Sequence, residues 1–240
     1  MIISRLLCFP KHVNISPMKS AKGILKEIFL DGSARIECPP ELIPGPGQYL
    51  LAHAHASDSP LAAPVFFSRP ALNGFIAAVP VPQSWMPGTS LNLRGPLGHG
   101  FNIPLVARKI ALIAFDSLPT RLHGLIPQIL KQGSEVVLLC DATLNDLPEV
   151  VEIQPLQTMN EILKWADYAA VDVARENLEQ LKKKMGNQYQ AGARCEAQVL
   201  IHTAMPCGAL AECGVCAMVI HHQWKMTCKD GPVFDWKELF

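Results

Sequence analysis

Four of the eight cysteines fall in one stretch, Met205 to Phe234, at Cys207, Cys213, Cys216 and Cys228. Their spacing is C-x5-C-x2-C-x11-C. Soft thiolates gathered so closely suit a soft metal centre, an iron–sulfur cluster or zinc. A structural zinc site usually pairs two short knuckles, and this stretch has one CxxC. Plant-type [2Fe–2S] spacing is C-x4-C-x2-C with a distant fourth cysteine, so the first gap here is one residue longer. Gly208 and Gly214 stand beside two of the ligand candidates, where a backbone without Cβ can curl its N–H groups toward sulfur. His221 and His222 do not have the two-loop Cys/His spacing of a Rieske centre, and they are expected to form a turn between two strands.

Cys207-Gly208, Cys213-Gly-Val-Cys216 and Cys228-Lys-Asp-Gly-Pro-Val-Phe234 resemble the iron–sulfur domain of the dihydroorotate dehydrogenase electron transfer subunit family. That family is part of the ferredoxin-reductase-like group. The resemblance implies three parts in series. They are an N-terminal antiparallel flavin-reductase-like β-barrel over 1–105, a central α/β nucleotide-binding-like domain with a parallel sheet over 106–202, and a small C-terminal [2Fe–2S] domain over 203–240. It further implies a cluster held by Cys207, Cys213, Cys216 and Cys228, an FAD in the barrel, and an electron-transfer subunit with no catalytic side chain. The implied partner is a redox protein, either a dihydroorotate dehydrogenase catalytic subunit of pyrimidine biosynthesis or a ferredoxin. A reading of a different class is a non-redox scaffold subunit with a structural four-cysteine metal site.

Lys+Arg and Asp+Glu both number 21, so the net charge is zero. That balance argues against nucleic acid or an anionic membrane surface as the main partner. No apolar run reaches the roughly 18 residues of a membrane span. The opening MIISRLLCFPKHV is too soon broken by Pro10 and Lys11 for a signal peptide. Free or metal-bound thiols then point to a reducing, cytoplasmic setting. Cys8, Cys38, Cys140 and Cys195 are scattered and read as buried apolar thiols.

The first part reads as β. Gly23–Leu30 and Ser33–Cys38 are strand patterns around an Asp31-Gly32 turn. Gly45-Pro-Gly-Gln-Tyr-Leu-Leu51 resembles the P-G-Q-F/Y segment of flavin-reductase barrels. In the family the next strand carries an R-P-x-S motif, whose Arg holds the flavin pyrophosphate. Ala63-Pro64-Val65-Phe66 stands at that place, and Pro64 alone matches. Arg69 is several residues off along the strand. The family's G-x-G-T turn is replaced by Pro80–Trp85. Gly95-Pro-Leu-Gly98-His-Gly-Phe101 matches the family's crossing from barrel to central domain, with Gly95 and Gly98 as architecture first and ligand contacts second. Without the arginine, FAD is expected to be weakly held or absent.

The central part reads as α/β. Arg108–Phe115 and Glu135–Cys140 are buried parallel strands, with a helix over Thr120–Gln132 between them. A phosphate-binding loop after the first strand needs glycine, to bring backbone N–H groups to the phosphates. The loop here, Asp116-Ser-Leu-Pro-Thr120, has none, and Asp116 would repel a pyrophosphate. NAD(H) is therefore not expected to bind productively. Glu152–Leu156 reads as a short strand, and Thr158-x-x-Glu161 as a capping box opening a helix through Trp165. Asp172–Met185 is expected to be an amphipathic helix ended by Gly186, with Val173, Leu178, Leu181 and Met185 inward. Cys195–Ile201 is the last parallel strand, leading into the cysteine loop.

Overall fold

The computed structural model describes residues 19–54, 61–116, 118–142, 147–190 and 195–240, without the side chains of 187–190. Cys8 and the opening apolar stretch lie outside them, as does Ser117 of the loop after the first parallel strand.

Six strands close an antiparallel barrel: β1 (Lys19–Ile28), β2 (Ala34–Glu37), β3 (Tyr49–Ala54), β4 (Ala63–Ala71), β5 (Gly74–Ala77) and β6 (Ser90–Leu97). Their order around it is β1-β2-β5-β4-β3-β6. Inward positions such as Leu25, Ile36, Leu50, Phe75 and Leu93 fill the interior. Short strands that alternate in and out, punctuated by Gly and Pro turns, bury one face each and close on themselves.

The second sheet is built from β7 (Lys109–Ala114), α1 (Ile126–Lys131), β8 (Glu135–Leu139), β9 (Glu152–Gln154), α2 (Met159–Trp165), β10 (Tyr168–Ala174), α3 (Leu178–Gln190) and β11 (Glu196–His202). The C-terminal segment adds β12 (Ala217–Ile220), β13 (Gln223–Met226), α4 (Thr227–Asp230), β14 (Val233–Asp235) and α5 (Trp236–Leu239). The sheet order is β14-β11-β10-β7-β8-β9, with β14 antiparallel to β11 and the others parallel. The strand that follows the last cysteine thus closes one edge of the α/β sheet. β12 and β13 form a separate hairpin, turned by His221 and His222, both at positive φ (47° and 63°). That is the two-residue turn geometry that matches strand twist, and the expected histidine turn is present.

Three local expectations need correction. Asp172 and Val173 belong to the central strand β10, and the helix starts at Leu178 after a short 3-10 turn. Asp172 is buried in mid-sheet because Arg121 pairs with it at 3.0 Å. Paired in this way, a carboxylate in an otherwise apolar run need not mark a helix surface. Gly186 lies within α3, where an unstrained glycine costs only about 1 kcal/mol. The helix expected over Thr120–Gln132 is two 3-10 turns followed by α1. These turns pack so near β4 that a Cβ at Gly124 would stand 2.6 Å from the Phe67 ring. α2 forms where its capping box sits, although the Thr158 hydroxyl bonds the Pro155 carbonyl rather than capping the helix.

Candidate metal centre

β11 delivers the chain to Met205, whose buried side chain joins a core shared by all parts of the molecule. That core holds Tyr49, Leu51 and Phe66 of the barrel, Leu200 of the α/β sheet, and Cys216, Cys228 and Val233 of the C-terminal segment. Cys207 lies in the loop after Met205, Cys213 and Cys216 immediately precede β12, and Cys228 is in α4. Cys216 and Cys228 are buried, Cys207 is half-buried and Cys213 is exposed. One end of the site is dry and faces the barrel, and the other meets solvent.

The sulfurs stand as two pairs. Cys207 and Cys213 Sγ are 3.3 Å apart, and the side chains of Cys216 and Cys228 are hydrogen-bonded to each other. Among the described residues, no three His, Cys, Asp or Glu stand around a common point as a metal ion would need. The backbone ties the pairs together, because Ala209 makes a backbone hydrogen bond to Cys207 and another to Cys228. Gly208 (φ 48°) and Ala209 (φ 65°) are successive left-handed residues. In this turn the Gly208 and Leu210 N–H groups donate to the Met205 and Cys207 carbonyls, and the Ala209 N–H is the one turned to sulfur. Burial pushes the Cys207 thiol up, but the Cys213 side chain and backbone hydrogen bonds at Ala211, Ala209 and Cys213 outweigh it and bring it down to about 7. Burial, with Cys216 alongside, pushes Cys228 up to about 12. Four thiols gathered around this turn fit a cluster as donor set, and binding one would displace the protons the buried pair holds.

Segments far apart in sequence converge behind the site. Tyr49 donates its hydroxyl to the Cys228 carbonyl at 3.2 Å and packs on Phe66, ring centroids 5.5 Å apart. Gly98, at φ 76°, has no room for a Cβ because Pro232 lies against it, and the His99 N–H donates to the Gly231 carbonyl at 2.7 Å. Gly47 faces Val233, where a Cβ would come within 2.7 Å. The P-G-Q-Y, G-P-L-G and D-G-P-V-F segments are thus packed against one another. Gly95 fits under Leu50. Neither Gly95 nor Gly98 lines the cleft described next.

That cleft, about 860 Å³, lies between the barrel and the C-terminal ends of the parallel strands. One wall is apolar, with Pro64, Phe66, Val79 and Pro80; the other carries Asp116, Arg121, Glu176, Asn177 and His202. Crevices of this kind are where open α/β sheets bind ligands. Among the described residues that line it, Arg121 is the one arginine or lysine, and it pairs with Asp172 while lying over the Phe66 ring at 5.5 Å. Asp116 accepts from the Ala174 N–H and from Asn177 Nδ2, both at 2.8 Å. Two carboxylates against one paired guanidinium make this a poor seat for a pyrophosphate. Arg69 is not in the lining. The Arg121–Asp172 pair escaped the sequence reading, because nothing in the spacing of 121 and 172 announces a contact.

A family model, the iron–sulfur cluster binding domain of dihydroorotate dehydrogenase B, matches residues 202–240. The dihydroorotate dehydrogenase B (NAD(+)) electron transfer subunit of Desulforamulus reducens is 27% identical over 173 residues, covering 62% of this chain and 64% of that protein. The chain thus spans just under two thirds of that relative's length. Among solved structures, one of NADH-dependent reduced ferredoxin-NADP oxidoreductase matches with TM-score 0.69 at 16% identity, covering 92% of this chain and 90% of its own. The ferredoxin reductase of carbazole 1,9a-dioxygenase matches with TM-score 0.59 at 12% identity, covering 77% and 70%. At these identities the two structures speak for the fold. Together with the cysteine loop, these likenesses give the chain a ferredoxin-reductase-like fold whose residues 202–240 match the iron–sulfur cluster binding domain of dihydroorotate dehydrogenase B.

Proposed function

We propose that this protein is an iron–sulfur electron-transfer subunit that holds a [2Fe–2S] cluster on Cys207, Cys213, Cys216 and Cys228. The observation that carries the reading is the graded placement of the four thiols around the Gly208–Ala209 turn, two buried against the barrel and one exposed. Bound there, the cluster would accept and release one electron at a time. Tyr49, Phe66 and Met205 exclude water behind the buried pair. The backbone donors supply the N–H···S bonds that tune such centres.

The partner is a redox protein that meets the exposed end, a dihydroorotate dehydrogenase catalytic subunit or a ferredoxin. Exposed Leu210 and Val215 flank Cys213 along the loop, and exposed Val219 and Trp224 pair across the hairpin. Exposed apolar side chains of this kind mark contact surfaces. FAD is held weakly or not at all, since the cleft lacks a free cation among its lining residues and carries two carboxylates. No helix of the described residues is long and apolar enough to cross a membrane, and the thiols suit a reducing cytoplasm.

The test is iron and acid-labile sulfide analysis, with a visible spectrum, of protein purified without oxygen. About two irons and two sulfides per chain and a brown colour are expected. A colourless protein carrying one zinc would replace this reading with the structural-metal one.

A further inference from the structure

Arg94 leaves the barrel on β6 and reaches into the cysteine loop. Its Nη2 donates to the Cys207 carbonyl at 2.7 Å and to the Gly208 carbonyl at 3.0 Å. Its Nη1 is buried without a hydrogen-bond partner. The loop closes on the guanidinium so tightly that a Cβ at Gly208 would stand 2.6 Å from Nη2. The ionisable groups that act on it are Tyr49, Cys207 and Cys228, two of the four thiols included. At the other end of the loop Arg175, from the α/β part, bonds the Val215 carbonyl at 2.8 Å, but this contact is exposed. A half-buried cation is screened far less than an exposed one.

We propose that Arg94 is the positioning residue of the metal centre. It latches the cysteine loop to the barrel and, as a fixed cation beside the thiols, makes the centre easier to reduce. The inference rests on the iron–sulfur reading above. Reduction adds one electron, and thus one negative charge, to a site already ringed by thiolates. A nearby guanidinium stabilises that added charge. Nη2 alone also holds two successive carbonyls, one with each of its two coplanar N–H bonds, an arrangement fixed by the guanidinium plane that a lysine ammonium does not reproduce.

The experiment compares wild type with R94K, R94Q and R175Q, as full chains purified without oxygen. Midpoint potentials are read by dithionite titration followed by electron paramagnetic resonance. Backbone hydrogen exchange of residues 205–216 is read in parallel. R94Q should lower the reduced-to-oxidised ratio at fixed potential about tenfold, equivalent to about 59 mV for one electron. R94K should keep the ratio within about twofold, because the charge remains. Both should exchange faster at Cys207–Ala209, by about tenfold, because neither keeps the Nη2 donor between the two carbonyls. R175Q should change neither by more than about twofold. Should R94Q fail to fold, R94K decides, since an unchanged exchange rate in it would refute the latch. A cluster-bearing R94Q with wild-type potential would overturn the electrostatic role. Wild-type protein without iron would instead overturn the function proposed above, a result seen before any variant is made.

Discussion

At the residue scale, the thiols divide by environment. Cys38, Cys140 and Cys195 are buried thiols in apolar surroundings, and burial raises Cys38 to about 11. Replacing Cys213 by Ser should abolish most of the bound iron while changing stability by no more than about 0.5 kcal/mol, since the side chain is exposed. Cys140→Ser should keep the iron; iron content and a urea melt measured together separate the two. His123 gives a pH prediction. Burial, with Arg69 adding to it, pulls this imidazole down to about 4, and its Nε2 is buried without a partner. The unfolded chain therefore binds a proton that the folded one refuses. Stability should be unaffected above about pH 6.5 and fall below it, by up to about 1.4 kcal/mol per pH unit, until about pH 4. Urea midpoints across that range, compared with His123→Gln, should show the slope flattened in the variant.

At the element scale, the motifs act by touching one another. Gly98 sits on the C-terminal segment, with Pro232 against it and φ at 76°. Gly98→Ala should cost about 2–5 kcal/mol, the sum of a left-handed penalty and overpacking, and should weaken the hold on iron because Cys228 lies four residues before Pro232. Chemical denaturation and iron analysis check both. The strand β10 depends on its one carboxylate. Asp172→Ala leaves the Arg121 guanidinium buried beside the sheet and should destabilise by about 3–5 kcal/mol. A loss below 1 kcal/mol would mean that Arg121 finds water in the cleft.

At the scale of the whole molecule, the cysteine segment is not an appendage. β14 pairs with β11, and α5 buries Trp236 and Leu239 on the α/β sheet, while Arg94 and Tyr49 reach it from the barrel. Electrons entering at the exposed end would therefore meet a core shared by barrel, sheet and C-terminal segment. The cleft, by contrast, sets two carboxylates, Asp116 and Glu176, against one guanidinium that is paired with Asp172. NADH alone should leave the centre oxidised under anaerobic mixing. Denatured protein should release well under one FAD per chain, even after incubation with excess FAD, since losing a charge-assisted contact costs roughly ten- to a hundredfold in affinity. Rapid bleaching by NADH, or stoichiometric FAD, would restore flavin and nicotinamide to the mechanism.

Local signals carried much of this in the sequence alone. The thiol spacing marked the metal candidates, the Asp-Gly turn and alternating runs marked the barrel, and the apolar runs marked β7 and β8. The glycine-free loop at Asp116 is the ground for expecting no productive NADH binding, because phosphate binding needs backbone approach at one place in the chain. Each of these signals is short-range, and so is legible residue by residue. Tertiary structure decided what depends on partners distant in sequence. β10 reads as the start of a helix until Arg121 is seen to neutralise Asp172 across 51 positions. Arg94 reads as one more strand residue until the loop 113 positions later closes on it. A buried charge is tolerated only where its counterpart arrives in space, and no period or spacing in one stretch of chain records that arrival.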